Sequence, residues 1–348
     1  MKKYLPIFVA IFFSILALYF RIERLAYHSF NVDELMQLFI INRPFLDFLK
    51  MLTTNEFCSF LSGDYYLIYP FFKVFQYNKW GLAVPHIIAT ILGFYLLYLI
   101  CRLYYKTIWG YIITFAIVCF NATLILHATE IRTYAVLPTL ALAAFYFSQL
   151  LIAQPFINLK KKWLIGAFFV LIIWFHVYGI LILLLSFIYS LLTKLHTKFF
   201  KDTFKSNIKF MSVVLSVAMP LWLYSIFGSH FSYQGLRSEI MFAHIPNPLV
   251  DIIAFFKAIF GNLMGYKKLY PLFLGIIIPL IIPYKDRYKH IALLLIMVFL
   301  PIILILLSDL RTQYYFLQKQ FIWTMPFFAL FIGLAWESFL VYIYERFK

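Results

Sequence analysis

An acidic pair, Asp33 and Glu34, follows a long apolar run near the start of the chain. The run over residues 4–26 is long enough to cross a membrane as a helix. A charge beside a bilayer is costly and usually functional, which makes Asp33 a candidate catalytic carboxylate at the lipid–water boundary. The segment Asn31–Glu34 also fits a capping box that starts a helix. Both interpretations stay open, because a helix start fixes the direction in which a carboxylate points.

Four more groups of polar side chains adjoin predicted membrane helices. Each has a structural interpretation as well: a helix start, an internal ion pair, a hydrogen-bonded buried histidine, or an anchor at lipid headgroups. As functional groups, the carboxylates would contact an acceptor and the cations would bind a phosphate. The candidates are Asp64 in segment 62–70; His127, Glu130, Arg132 and Tyr134 in segment 127–134; His176 and Tyr178 in segment 174–179; and Arg311, Lys319 and Gln320 in segment 308–320.

The elements that must position these residues are membrane helices. The chain of 348 residues is 64% hydrophobic, 22% aromatic and only 13% charged, a composition that excludes a soluble domain. Apolar runs of about 20 residues predict ten spanning helices. The stretch 163–194 is either one long helix or two short ones. The predicted helices cover 4–26, 81–104, 107–126, 132–153, 163–176, 178–194, 209–227, 269–283, 290–307 and 321–343.

The distribution of basic residues predicts the orientation of the chain. More than half of the 30 Lys and Arg residues fall in the segments that face inside when both termini are cytoplasmic. The net charge of +16 is then a topology signal, and nucleic acid is not an expected partner. The first helix has no small-residue cleavage site and reads as a retained anchor. With Cys58 alone outside, we expect neither a disulfide framework nor a zinc cluster.

Two outer loops, 27–80 and 228–268, hold most of the residues outside the membrane. In the first, Pro44 divides an apolar stretch into two short helices that we expect to lie in the interface plane. The second contains an apolar stretch interrupted by Asp251 and Lys257, and we expect it to be interfacial too. All five polar groups fall on this outer face. Loops that lie along the membrane suit a lipid substrate.

Taken together, these segments resemble the GT-C superfamily of membrane glycosyltransferases, in particular the protein O-mannosyltransferase and aminoarabinose-transferase branch, the family 39/83-like enzymes. The resemblance covers residues 20–195 well and 314–336 loosely. The chain departs from the family at His86 and Lys319, where arginine is common, and it lacks the family's His-Pro-Pro string. The similar strings are RIERL, NVDELMQL, DYYLIYPFFKVF, HATEIRTYAVLP, HVYGILILL and QKQFIWTMPFF.

The resemblance implies an all-α polytopic membrane protein with a GT-C-like fold and juxtamembrane helices in the first outer loop. We expect a single integral membrane domain over 1–348, with a GT-C-like module at 1–195 and variable helices at 196–348. We expect no separate soluble domain, which is a departure from several family members that carry one after the last helix. The composition, rich in Lys, Phe, Ile and Tyr, favours a bacterial inner membrane, with cytoplasmic termini and the active site outside. An enzyme of the endoplasmic reticulum would have the same topology, with the lumen as the outside.

The resemblance also implies a reaction. A sugar would pass, with inversion, from a polyprenyl-phosphate donor to a lipid, glycan or protein acceptor, with Asp33 as the base. Arg132, with Arg311 or Lys319, would stabilise the leaving phosphate. Glu34 and Asp64 would orient the acceptor or hold a divalent cation; metal use varies across the superfamily, and two carboxylates do not decide it. The implied substrate-binding residues are Glu34, Asp64, His127, Glu130, Arg132, Tyr134, His176, Tyr178, Arg311, Lys319 and Gln320.

Three other functions stay open at this point. A polysaccharide polymerase or ligase would use lipid-linked oligosaccharides at the same outer loops. A transporter of lipid-linked sugar would place its ionisable groups near the bilayer midplane and often show a repeat, and the sequence shows no repeat. A membrane acyltransferase would depend on His176 inside the apolar bundle.

Overall fold

The computed structural model describes residues 4–54, 63–153, 158–193, 200–227, 267–282, 287–304, 307 and 318–347. Within these ranges the regular secondary structure is helical throughout, without a strand. The α-helices are α1 (Leu5–Tyr27), α2 (Val32–Ile41), α3 (Phe45–Thr54), α4 (Gly63–Phe75), α5 (Lys79–Tyr104), α6 (Ile108–Phe120), α7 (Ala122–His127), α8 (Leu137–Ala153), α9 (Leu159–Phe175), α10 (Gly179–Leu192), α11 (Phe200–Phe227), α12 (Ile278–Ile281), α13 (Arg287–Leu294) and α14 (Met325–Arg346). Three 3₁₀-helices cover Thr133–Ala135, Lys267–Ile276 and Gln318–Thr324, and a π-helical turn, Leu295–Phe299, extends α13.

Four helices in the described part of the chain are long and apolar enough to cross a membrane. They are α1, α5, the segment Phe204–Tyr224 of α11, and the segment Phe321–Arg346 that contains α14. In α1 the side chains of Phe8, Phe12 and Ile15 are each at least 60% exposed. A helix that exposes large apolar side chains to water would be unstable, so this face of α1 contacts lipid. The chain is therefore an integral membrane protein.

The helices pack into one bundle around aromatic side chains. Helix α6 lies against α14 and α1, α8 lies between α5 and α10, and α9 packs on α11. In the core, the Phe145 ring stacks on Tyr189 at 5.2 Å between centroids and contacts Phe327 at 5.1 Å. Neither Phe145 nor Phe327 is exposed to any measurable extent, and such buried rings supply much of the packing energy of a core.

The two ends of the bundle are fixed by polar contacts. At the upper end, which we define by the end of α1 and the start of α5, Lys79 Nζ donates to the Ala26 carbonyl at 2.8 Å. At the opposite, lower end, the Glu337 carboxylate of α14 accepts hydrogen bonds from the main-chain N–H groups of Lys106 and Thr107. Thr107 is the N-cap of α6 and has no capping bond from its own side chain. Glu337 thus caps α6 from a distant helix, as a carboxylate near a helix N-terminus does.

Where α6 and α14 cross, a glycine permits a very close approach. A Cβ atom on Gly333 would lie 2.9 Å from the Gly110 carbonyl oxygen and 2.5 Å from the Tyr105 hydroxyl oxygen. Tyr105 uses that hydroxyl to bond to Thr114 and to the Leu330 carbonyl at 3.0 Å. A larger residue at 333 would therefore separate the two helices, since membrane helices approach closely through small residues.

The short helices of the first loop are confirmed. α2 and α3 lie on either side of a turn that ends at Pro44, because proline disfavours helical backbone in the residue before it. The predicted interfacial segment around Asp251 and Lys257 lies outside the described residues.

Several predicted spans differ in detail from the structure. The stretch 163–194 forms two helices, α9 and α10, with extended backbone at His176 between them. The predicted span 107–126 is divided at Asn121, whose side chain caps α7 by accepting from Leu124 N at 2.9 Å. The predicted span 269–283 holds a 3₁₀-helix and the four-residue α12, because its prolines lack the N–H that a continuous α-helix needs. The total of ten spans stays a prediction.

Candidate functional site

At the upper end of the bundle, Glu34 is fully buried and joins two separate segments. The predicted capping box is present: Glu34 N donates to Asn31 Oδ1 at 2.9 Å, and Asn31 N donates to Glu34 Oε2 at 2.8 Å. The other oxygen, Oε1, accepts from Ile131 N at 2.7 Å. His28 Nε2 lies 2.9 Å from Oε2. The carboxylate of Glu34 is thus held by partners within the protein.

Asp33, the neighbour of Glu34, points the other way. Its side chain is 46% exposed, and Oδ2 lies 4.0 Å from Nη2 of Arg132. Arg132 also donates from Nη1 to the Asp33 main-chain carbonyl at 3.3 Å. Since Asp33 sits in the first turn of α2, its backbone is fixed by the capping box while the carboxylate stays accessible. An exposed carboxylate on a rigid helix start can accept a proton from a bound molecule.

Arg132 is influenced by the charges of two carboxylates of different exposure, Asp33 and Asp64. Its side chain is 24% exposed. Burial alone would lower the pKa of Arg132, but the negative charges of Asp64 and Asp33 raise it above its usual value. The guanidinium therefore remains charged and presents a fixed fork of N–H donors at the edge of the site.

Asp64, in the first turn of α4, is the buried member of this set, with 1% of its surface exposed. Burial raises the pKa of the Asp64 carboxyl, while the charge of Arg132 and the hydroxyl of Thr133 act in the opposite direction. The fully buried Gln37 side chain adds a smaller lowering of the same pKa. Among the described residues, Asp64 Oδ1 has no hydrogen-bond partner. Asp64 is thus a buried carboxylate whose charge acts on Arg132.

A row of aromatic and imidazole rings extends the site along the bundle. His127 Nδ1 lies 2.9 Å from Glu130 Oε2, and the His127 ring is 6.1 Å from the ring of Tyr134. Tyr134 lies 6.4 Å from His176, and His176 lies 5.0 Å from Tyr178, measured between centroids. Tyr178 N also donates to His176 Nδ1 at 3.1 Å, which fixes the imidazole at the break between α9 and α10. The predicted segments 127–134 and 174–179 therefore meet.

The remaining candidates come from the C-terminal part of the chain. Lys319 and Gln320 belong to the 3₁₀-helix Gln318–Thr324, whose backbone contacts α7 and the 3₁₀-helix Thr133–Ala135. Their element therefore adjoins the site. Arg311 lies outside the described residues.

Three residues of the site escaped the sequence analysis: His28, Gln37 and Thr133. Gln37 follows Glu34 by three positions, so the helical period alone places both on the buried face of α2. Thr133 directly follows Arg132 and carries no separate signal. The role of His28 depends on how the chain turns between α1 and α2, which no local pattern encodes.

A divalent cation would need several carboxylates or imidazoles around one point. Among the described residues, no three His, Cys, Asp or Glu side chains form such a group. The Arg132 guanidinium lies 4.0 Å from Asp33 and is influenced by the charge of Asp64, so both carboxylates already act on a cation of the protein. No metal ion is therefore assigned to the described residues, and the divalent cation stays a prediction.

The upper end of the bundle thus holds an exposed carboxylate near a guanidinium, a second carboxylate that is buried, and a row of rings. Comparison of the chain with protein-family models, with curated proteins and with solved structures finds no match.

Proposed function

We propose that the chain is a membrane glycosyltransferase that moves a sugar from a polyprenyl-phosphate donor to an acceptor at the outer membrane face. The observation that carries the proposal is the pairing of the half-exposed Asp33 carboxylate with the Arg132 guanidinium, 4.0 Å away at one end of a membrane bundle. Transfer from a lipid phosphate needs a base for the acceptor and a positive charge for the departing phosphate. Asp33 and Arg132 supply both at the depth of lipid headgroups.

In this proposal Asp33 accepts the proton of the acceptor hydroxyl as that oxygen attacks the anomeric carbon. The bond from that carbon to the phosphate oxygen breaks, and the polyprenyl phosphate leaves with the bonding electrons. A positioned base accelerates such a step by about 10²- to 10⁴-fold. The capping box around Asn31 and Glu34 supports this role because it fixes the start of α2, and with it the aim of Asp33.

Arg132 stabilises the leaving phosphate in this mechanism. Negative charge grows on the phosphate in the transition state, and a fixed guanidinium lowers the energy of that charge without reorganising. Asp64 is the proposed positioning residue: it is buried, and its negative charge raises the pKa of Arg132 and so keeps the guanidinium charged. Lys319, on the adjacent 3₁₀-helix, is a second candidate for contact with the phosphate.

The row of rings from His127 to Tyr178 is the proposed wall for the sugar and acceptor. Rings with polar edges offer both an apolar face and hydrogen-bonding groups, which a sugar requires. Glu34 has a different place in the proposal. Its carboxylate is engaged by Ile131 N, Asn31 N and His28, so we assign it to holding the site together.

Mass spectrometry of glycans and glycolipids in a strain that lacks the protein is the first test. We expect one sugar modification to disappear and to return when the wild-type chain is supplied. The same strain supplied with Asp33→Asn should remain unmodified, whereas Asp47→Asn, an exposed carboxylate on the neighbouring α3, should restore the sugar. An unchanged glycan and glycolipid profile in the deletion strain would contradict the proposal.

A donor assay in reconstituted vesicles separates the other functions. A monosaccharide on a monophosphate lipid should serve as donor, while an oligosaccharide on a pyrophosphate lipid should not. Movement of lipid-linked sugar across the vesicle without covalent transfer would instead indicate a transporter. Acyl transfer that is lost in His176→Ala would indicate an acyltransferase.

A further inference from the structure

Helix α1 carries a buried cation that the proposed sugar transfer does not use. Arg21 is 5% exposed, and its Nη1 donates to the Ala17 carbonyl at 2.9 Å. The side chain therefore runs back along the helix, away from the upper end. Ala17 is ten residues before Tyr27, which places the guanidinium about 15 Å below the end of a 23-residue helix. This is close to the middle of the span.

The surroundings of Arg21 do not neutralise it. Its guanidinium lies 5.6 Å from the centroid of the Phe94 ring, a weak electrostatic partner. Among the described residues, no carboxylate lies within ion-pair distance of Arg21, and its Nε has no hydrogen-bond partner. The nearby titratable group is the thiol of Cys119, on α6. A buried charge without a carboxylate partner in the middle of a membrane bundle costs free energy, and it is by default a sign of a functional site.

Arg21 lines a cavity of about 40 Å³ between helices of the bundle. Tyr134 and Pro326 line the cavity near the upper end of the bundle, and Phe94 and Leu142 line it farther from that end. The space is roughly three times the 10–15 Å³ that one water molecule requires. Since Tyr134 also belongs to the row of rings in the candidate site, the cavity adjoins that site.

The two threonines of the cavity wall already donate elsewhere. Thr90 Oγ1 donates to the His86 carbonyl at 3.0 Å, and Thr139 Oγ1 donates to the Ala89 carbonyl at 2.7 Å. Arg21 is therefore the wall residue that brings both a positive charge and an unused N–H. The rest of the wall is largely apolar, and in such a low-dielectric space a guanidinium attracts an anion strongly.

We propose that this cavity is an anion site in which Arg21 holds one small monovalent anion, of halide or carboxylate size. The volume excludes a sugar phosphate, so the site is distinct from the place proposed for the lipid donor. The anion would neutralise Arg21 and brace α1 against α5 and α8. The proposal stands independently of sugar transfer, because it concerns the stability of the bundle in the presence of the ion.

The test is thermal unfolding of the full-length protein in detergent, at matched ionic strength, in sodium chloride, bromide, acetate or gluconate. Gluconate is too large for the cavity and serves as the reference. A bound ion at about 100 times its dissociation constant should raise the unfolding midpoint by roughly 3–4 °C. A raised midpoint in chloride and bromide would identify a free halide as the natural occupant. A raised midpoint in acetate alone would point to the carboxylate of a larger ligand.

Three variants make the result specific. In Arg21→Gln the difference between salts should vanish, and in Arg24→Gln, an exposed arginine one turn along α1, it should persist. If Arg21→Gln does not fold, Val118→Phe fills the cavity from α6 with Arg21 intact and should also abolish the effect. Equal midpoints of the wild-type protein in all four salts would overturn the proposal. So would a salt effect that survives in Val118→Phe.

Discussion

At the scale of single residues, three charged side chains at the upper end differ in solvent exposure. Asp33 is about half exposed, Arg132 is about a quarter exposed and Asp64 is buried. In the proposed mechanism the accessible carboxylate of Asp33 meets the acceptor, while the buried carboxylate of Asp64 acts on Arg132. The proposed difference in role between Asp33 and Asp64 follows from their burial, because both residues are aspartates.

Arg132 gives the first prediction at this scale. Arg132→Gln should lower kcat by about 10²- to 10³-fold, because the charge that stabilises the leaving phosphate is lost. Arg132→Lys should fall between Gln and the wild type, since it keeps the charge but loses the fork of donors. Rates of sugar transfer by the purified variants measure this. Arg102→Gln, at the lower end, is the control and should keep full activity; equal loss in Arg102→Gln would contradict a local role.

The buried carboxyl of Asp64 leads us to predict that the stability of the folded protein depends on pH. Its pKa in the folded state is raised above the ordinary value of 3.8, so the folded chain holds the proton more tightly than the unfolded chain. Stability should therefore fall as pH rises from the ordinary Asp pKa through the raised one, and level off above it. Unfolding midpoints measured at roughly pH 4 to 7 should show this slope in the wild type and in Asp47→Asn. A slope of the same size in Asp64→Asn would contradict the assignment.

At the scale of elements, the site depends on contacts between segments far apart in the sequence. Asn31–Glu34 could be recognised as a capping box because both partners lie in one turn. The bond from Ile131 N to Glu34 joins residues 97 positions apart, and nothing local predicts it. The break at His176 was predicted as a possibility, since Gly179 follows closely, but only packing decides it. A Cβ on Gly179 would lie 2.0 Å from the Ile172 carbonyl oxygen.

Glu34 tests the importance of that link. Glu34→Gln should destabilise the protein by about 2–3 kcal/mol, because buried hydrogen bonds to a charged group are weakened and His28 loses its partner. Chemical unfolding in detergent measures the difference. Glu23→Gln, an exposed position on α1, should change stability little. Activity should fall together with stability, and a Glu34→Gln protein that is fully stable but inactive would instead favour direct contact with the substrate.

At the scale of the whole molecule, the composition was sufficient to predict a helical membrane protein, and the described residues agree. The lengths of the individual spans were less predictable. Proline and asparagine divide apolar runs into pieces such as α6 and α7, and hydropathy does not register such breaks. The grouping of polar segments on one side was predicted from alternation of the spans, and the structure brings three of them into contact at the upper end.

The side of the membrane that the upper end faces is itself a prediction. A cysteine introduced by Asp47→Cys should react with a membrane-impermeant maleimide in intact cells, because α3 belongs to the outer loop. A cysteine introduced by Arg346→Cys should react only after permeabilisation. Both variants are made with Cys58 replaced by serine; Cys101 and Cys119 are buried. Labelling in the reverse order would place the site on the cytoplasmic side and remove the proposed donor.

The proposed mechanism depends most directly on the carboxylate of Asp33. The rate of sugar transfer by the purified Asp33→Asn protein is the measurement that tests it. We expect kcat to fall by about 10²- to 10⁴-fold while the unfolding midpoint stays at the wild-type value, since the side chain is half exposed. Asp47→Asn should transfer sugar at the wild-type rate. An Asp33→Asn protein with undiminished transfer from the lipid donor would contradict the mechanism.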